Sequence, residues 1–224
     1  MKFFSFRILV SAMLCLGLFA CSAEESEVAD STSEVTATPN TATPNPATPN
    51  TATGDYEVGI TAAQNGDFET ALTEFSAAAE QGLDLAQYNL GVLYYSGLGV
   101  ETDYEKAYEW TKKAAEQGHL AAQFNLGTLY FNGLGTRRNP EEAFQWYSVA
   151  AQQDHAEAQY NLATMYRDGT GVEKDLVKAH FWANVSRENE FDGAAELQQE
   201  FAAVMSTEQK AQAEREFIEW LLAR

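Results

Sequence analysis

Cysteine is almost missing from this 224-residue chain. The two that occur, Cys15 and Cys21, both lie ahead of residue 22, so the rest has no disulfide, no thiolate metal site and no cysteine nucleophile. Cations are scarce as well: Lys and Arg number 14 against 33 Asp and Glu, a net charge of −19. That balance argues against nucleic acid or an anionic lipid surface as partner. It allows a basic partner, although a solvated acidic surface is the simpler reading. No apolar run approaches the roughly 20 residues of a spanning helix. Of the three histidines, His119 and His155 are 36 residues apart. In stacked hairpins that separates them by about 10 Å, too far to share a zinc ion whose ligands sit near ~2 Å. Glycine pairs occur, but no Gly-Lys-Ser/Thr follows them, so they are turn formers and not phosphate loops. No Ser/His/Asp arrangement and no distinctive carboxylate pair stands out. The sequence therefore predicts no catalytic residue, no metal and no cofactor.

What is present is repetition. A stretch beginning at Ala86 recurs at Ala122 and Ala158, a period of 36 residues. Gln87, Gln123 and Gln159 are in register, as are Tyr94, Tyr130 and Tyr166, and Trp110, Trp146 and Trp182. A period in this range marks a solenoid, in which each unit buries its apolar face by stacking on the next. The fold class predicted is all-α, a right-handed α-solenoid of stacked helical hairpins. Each unit opens with a Leu/Tyr stripe at spacings of three and four, as in Leu90, Leu93 and Tyr94. A Gly-x-Gly loop ends the first helix. Asp103, Asn139 and Asp175 are N-cap types for the second, and Pro140 sits at a first helical position. The second helix is expected to bury Ala107, Trp110 and Ala114 and their equivalents.

The pattern A-Q-Y-N-L-G-x-x-Y, then G-x-G-V, D-x-x-K-A-x-x-W and A-A-E-Q-G, resembles the Sel-1-like repeat, a relative of the tetratricopeptide repeat. Ala163 in place of glycine and Thr136-Arg137-Arg138 in the loop are departures from it. Residues 55–84 resemble a tetratricopeptide repeat: Gly59 to Ala71 spans four residues fewer than Gly91 to Ala107, which shortens the loop. Units at 85–120, 121–155 and 156–191 follow, and residues 192–224 read as a helical cap. In that cap, Ser206-Thr-Glu-Gln209 has the form of a capping box. At the other end, residues 1–20 have a basic start (Lys2, Arg7) and a short apolar core, the form of a secretory signal. Leu18-Phe19-Ala20-Cys21 resembles the bacterial lipobox. That resemblance implies cleavage before Cys21, lipid on its sulfur and, with Ser22 following, an outer-membrane lipoprotein facing the periplasm. Residues 21–54, with Thr-Ala-Thr-Pro-Asn copies, have too little apolar surface to pack and are read as an extended tether.

The resemblance implies that first helices line a concave surface where partner segments bind. On them, Tyr88-Asn89, Phe124-Asn125 and Tyr160-Asn161 precede the core leucine. Their amides are suited to holding a peptide backbone, and their rings add contact area. The alternative is that they hydrogen-bond and pack on the neighbouring hairpin. Tyr95, Phe131 and Arg167 differ between otherwise matching repeats, which is where selectivity would reside, with Arg167 as a carboxylate clamp. The predicted role is a non-catalytic scaffold for a protein or peptide partner, held to a membrane by its lipid. A peptidoglycan or polysaccharide binder using Tyr88, Phe124 and Tyr160 as stacking platforms is the alternative. A β-lactamase-like or penicillin-binding enzyme is a remote third, since the cysteine-stapled members of the family to which that role is attached have cysteines these repeats lack.

Overall fold

The computed structural model describes residues 55–223. The expected signal, the expected lipidation site Cys21 and the expected tether lie outside the described residues. Within them the chain is helical, with no strand. The first hairpin is α1 (Tyr56–Gln64) and α2 (Phe68–Glu80). Three longer hairpins follow: α3 (Asp84–Ser96) with α4 (Tyr104–Glu116), α5 (Leu120–Asn132) with α6 (Pro140–Ala151), and α7 (Ala156–Asp168) with α8 (Leu176–Glu188). The chain closes with α9 (Ala194–Val204) and α10 (Thr207–Leu222), both packed on α8. From α1 to α9 each helix packs on the next in order, so this is an α-solenoid. No helix among the described residues is long and apolar enough to cross a membrane.

Local chemistry sets the helix ends. Asp103 accepts the Lys106 N–H at 3.0 Å, Asn139 that of Glu142 at 3.2 Å, and Asp175 those of Val177 and Lys178. Such caps contribute about 1 kcal/mol each. Ser206 and Gln209 form the reciprocal capping box at the start of α10. The first helices stop at Gly97, Gly133 and Gly169, each left-handed. Two residues on, Gly99, Gly135 and Gly171 lie against the backbone that opens the preceding hairpin's second helix, at Phe68, Tyr104 and Pro140. A Cβ there would overlap the carbonyl, so the loops tile along one edge only because these residues are glycine.

Small residues set the helix spacing. Ala71, Ala107, Ala143 and Ala179 occupy one register position and are fully buried, as are Ala86, Ala122 and Ala158. Leu90, Leu126 and Leu162 fill the core beside them. A Cβ on Gly127 would meet the Tyr147 ring at 2.7 Å, and one on Gly91 the Thr111 hydroxyl at 2.6 Å. In the third unit the facing residue is Ala183, packed in the same cluster as Ala163, which explains why alanine replaces glycine there. The tryptophans correct the expectation of full burial. Trp110, Trp146 and Trp182 are half-buried, and Lys113 lies 3.7 Å above the Trp110 ring. The buried second-helix position is Thr111, Tyr147 and Ala183 instead.

Candidate binding face

Polar brackets repeat at each of the three junctions from the first hairpin to the third full unit. Gln87, Gln123 and Gln159 are buried, the last completely. Each donates its amide to a carbonyl near the end of the preceding hairpin: Ala79, Ala115 and Ala151, at 3.0–3.4 Å. Each also accepts from the residue ending its own hairpin: Gln117, Gln153 and Asn189, at 2.6–2.9 Å. One side chain thus ties three helices together. Sequence reasoning marked these glutamines as in register but gave them no role. The available signal was an invariant polar residue between buried alanine and the aromatic.

The histidines belong to the same junctions. His119 and His155 are the N-caps of α5 and α7, and their Nδ1 atoms accept the N–H of Ala122 at 3.2 Å and of Ala158 at 3.3 Å. Their rings stack on Tyr88 (centroids 4.5 Å apart) and Phe124 (4.4 Å). At the corresponding place after the third unit, Phe191 lies against Tyr160. Burial pushes both imidazoles below their ordinary pKa and pushes the Tyr88 hydroxyl up.

These contacts correct the expectation for the first two aromatic–asparagine pairs. Tyr88 is 3% exposed, Asn89 7%, Phe124 8% and Asn125 5%. Asn89 donates to the Tyr56 hydroxyl at 3.0 Å, and Asn125 bonds the Tyr88 hydroxyl. Asn161 reaches the Tyr147 hydroxyl, whose pKa burial raises to about 12. The asparagines therefore reach back to the preceding hairpin and do not form an open ladder for a peptide backbone. Tyr160 and Asn161 are half-buried. Two of the three proposed stacking platforms, Tyr88 and Phe124, have their faces covered by histidine, which removes the basis for a sugar-stacking row.

Tyr95, Phe131 and Arg167 keep half-exposed surface. They lie on one register position, three residues after Val92, Thr128 and Thr164, which are also half-exposed. Tyr95 stands edge-on to Tyr104, centroids 5.4 Å apart. Arg138 lies 5.6 Å from the Phe131 ring and donates to the Phe131 carbonyl at 3.0 Å, so the loop that departs from the repeat pattern shields this aromatic. Arg167 grips Asp168 through two hydrogen bonds of 2.7 and 3.0 Å and stands 3.6 Å from Glu200. Its hydrogen bond holds the Asp168 carboxyl below the usual range. This corrects the view of Arg167 as a free carboxylate clamp: its fork is already filled. Burial raises the pKa of the nearby-register Glu157, at the start of the same helix.

Residues 84–119, 120–155 and 156–185 each match the Sel1 repeat. A Sel1 repeat protein from Oxalobacter formigenes is similar in structure, with 37% identity and a TM-score of 0.59 over 62% of this chain and 58% of that one. A protective antigen of uropathogenic Escherichia coli strains, displaying an SLR fold, shares 30% identity with a TM-score of 0.64 over 74% of this chain and 40% of its own. The chain thus spans less than two thirds of either relative. No curated protein matches it. Three consecutive segments of this chain thus match the Sel1 repeat, on an α-solenoid shared with these two structures.

Proposed function

We propose that this protein is a non-catalytic scaffold of the bacterial envelope that binds a segment of another protein along the exposed strip of its first helices. The observation that carries the reading is the strip at Tyr95, Phe131 and Arg167. It is a partly exposed first-helix position whose side chain changes from phenol to phenyl to guanidinium while the brackets around it repeat. Repetition fixes the frame, and variation on it gives each unit a distinct contact. Aromatic surface of this kind is enriched at protein interfaces. With Asp168 and Glu200 gathered about Arg167, the third unit presents more negative than positive charge and favours a partner with basic residues there. The chain reaches its membrane through lipid on Cys21, in the outer membrane and facing the periplasm, with residues 21–54 as the spacer.

Photocrosslinking in intact cells tests the reading, with a photoreactive residue at 95 or 131 and a control at exposed Gln145. Protein adducts from 95 and 131, recovered with the outer membrane and lost from it in Cys21→Ser, are the expected result. Glycan adducts alone would transfer the case to the cell wall. Adducts from 145 but not from 95 or 131 would place the binding face elsewhere.

A further inference from the structure

The two junctions between the three full repeats are closed by the same device, an imidazole used as a helix cap. We propose that His119 and His155 make these junctions acid-sensitive, so that the repeats uncouple from one another in mildly acid solution while the individual hairpins stay folded.

The argument starts from the donor and acceptor roles. A backbone N–H can only donate, so the Nδ1 atoms that receive the Ala122 and Ala158 N–H groups must be unprotonated. Protonation converts that acceptor into a donor facing a donor. It also puts a positive charge at a helix N-terminus, where the macrodipole is already positive. The aromatic faces of Tyr88 and Phe124 favour a cation, a single gain set against two losses. The second helices are capped by Asp103, Asn139 and Asp175, none of which loses its acceptor near neutral pH. Within the full repeats, titratable imidazole caps thus fall only on helices that begin a new hairpin.

The charged surroundings differ between the two sites. Asp84, on α3, faces His119 and favours its charged form. At the same register position before His155 stands Leu120, and no charged group offsets the burial of that ring. Both rings favour the neutral form through burial, and only at His119 does a carboxylate pull the other way. Tyr95, Phe131 and Arg167 sit on successive repeats, so loosening changes their spacing. The device stands whether or not a partner binds at those residues.

Sign and range follow from linkage. Each histidine has a depressed folded pKa, so its contribution is complete above the ordinary value of about 6.5 and drains away as the pH falls from there through the folded pKa. The test is hydrogen exchange and ring titration by NMR on the full chain between pH 7.5 and 5. Both rings are expected to titrate below about 6.5. The protection factors of the Ala122 and Ala158 amides should fall by up to about tenfold per pH unit in that window. The Glu142 amide, capped by non-titrating Asn139, should keep its protection. His119→Asn and His155→Asn keep an acceptor and should flatten the response. The proposal fails if Ala122 and Ala158 follow the same course as Glu142, or if the asparagine variants lose protection as the parent does. Should the variants not fold, the comparison of Ala158 with Glu142 in the parent decides alone.

Discussion

At Gly82 and Gly118 the chain turns from one hairpin into the next with φ of 94° and 95°. At the same register positions later in the chain, Asp154 and Glu190 turn with φ of 66° and 59°. The closing hydrogen bond is the same in all four: Leu83, His119, His155 and Phe191 donate to Ala78, Ala114, Ala150 and Ser186 at 3.1–3.3 Å. A left-handed conformation costs a residue with a side chain roughly 1–2 kcal/mol, and Asp154 and Glu190 nonetheless adopt it. At Asp154 the junction geometry is therefore imposed from outside the turn, by the Gln159 bracket and the Gly171 tile. Divergence gathers toward the C-terminal end, where Ser186, Asn189 and Phe191 replace the alanine, glutamine and histidine of earlier units. Asn184 Oδ1 there is the one buried side-chain polar atom without a partner among the described residues.

If tiling sets the junction, substitution at the closest tile should do the most harm. In Gly135→Ala the new Cβ meets the Tyr104 backbone in a left-handed residue. The expected loss is about 3 kcal/mol, from strain plus displacement of the loop. Gly118→Ala is left-handed too, but nothing lies within 4 Å of its Cβ. Its loss should stay near 1–2 kcal/mol. Urea denaturation of both variants gives the comparison, and equal losses would mean that the turns set the geometry after all.

The bracket comes next in size. In Gln159→Ala the Ala151 carbonyl loses its partner in a buried site and the half-buried Asn189 amide loses its acceptor. Stranded polar groups of this kind cost about 1–3 kcal/mol. The same change at Gln81, an exposed residue, should be near neutral. Thermal unfolding separates them: a Gln159→Ala protein as stable as its parent would remove the brackets from the account of how units are held.

How much of this could be read from the sequence depended on how local the cause was. The hairpins and the caps at Asp103, Asn139 and Asp175 are set within a few residues, and the 36-residue period exposed the solenoid. The first-helix aromatics were harder to read. Tyr88 and Phe124 lie where a single helix face would be open, but each first helix is flanked by two second helices and an imidazole covers each ring. Periodicity shows that a face is apolar and does not show how many neighbours cover it. Trp110 erred the other way, because a large ring can stay half-exposed at the surface with a lysine ammonium over its face. The fork of Arg167 is filled by Asp168, the next residue, which equivalence between repeats did not single out because the earlier units carry Ser96 and Asn132 there. Glu200, 3.6 Å away in the non-repeating cap, has no register that relates it to the repeats.

The smallest expected effect is also the sharpest test of what the turns contribute. Glu190 is left-handed, where its side chain costs about 1–2 kcal/mol, and glycine would remove that cost. Glycine also frees the unfolded chain, which takes back about 0.5–1 kcal/mol. Glu190→Gly should therefore raise stability by about 0.5–1 kcal/mol, the difference of the two. The same turn already carries glycine at Gly82 and Gly118, so the replacement has two precedents within the chain. A raised midpoint with an unchanged denaturant slope is the expected result. A loss of stability would show that the Glu190 side chain supports the cap, and that the C-terminal turn is no longer equivalent to the glycine turns before it.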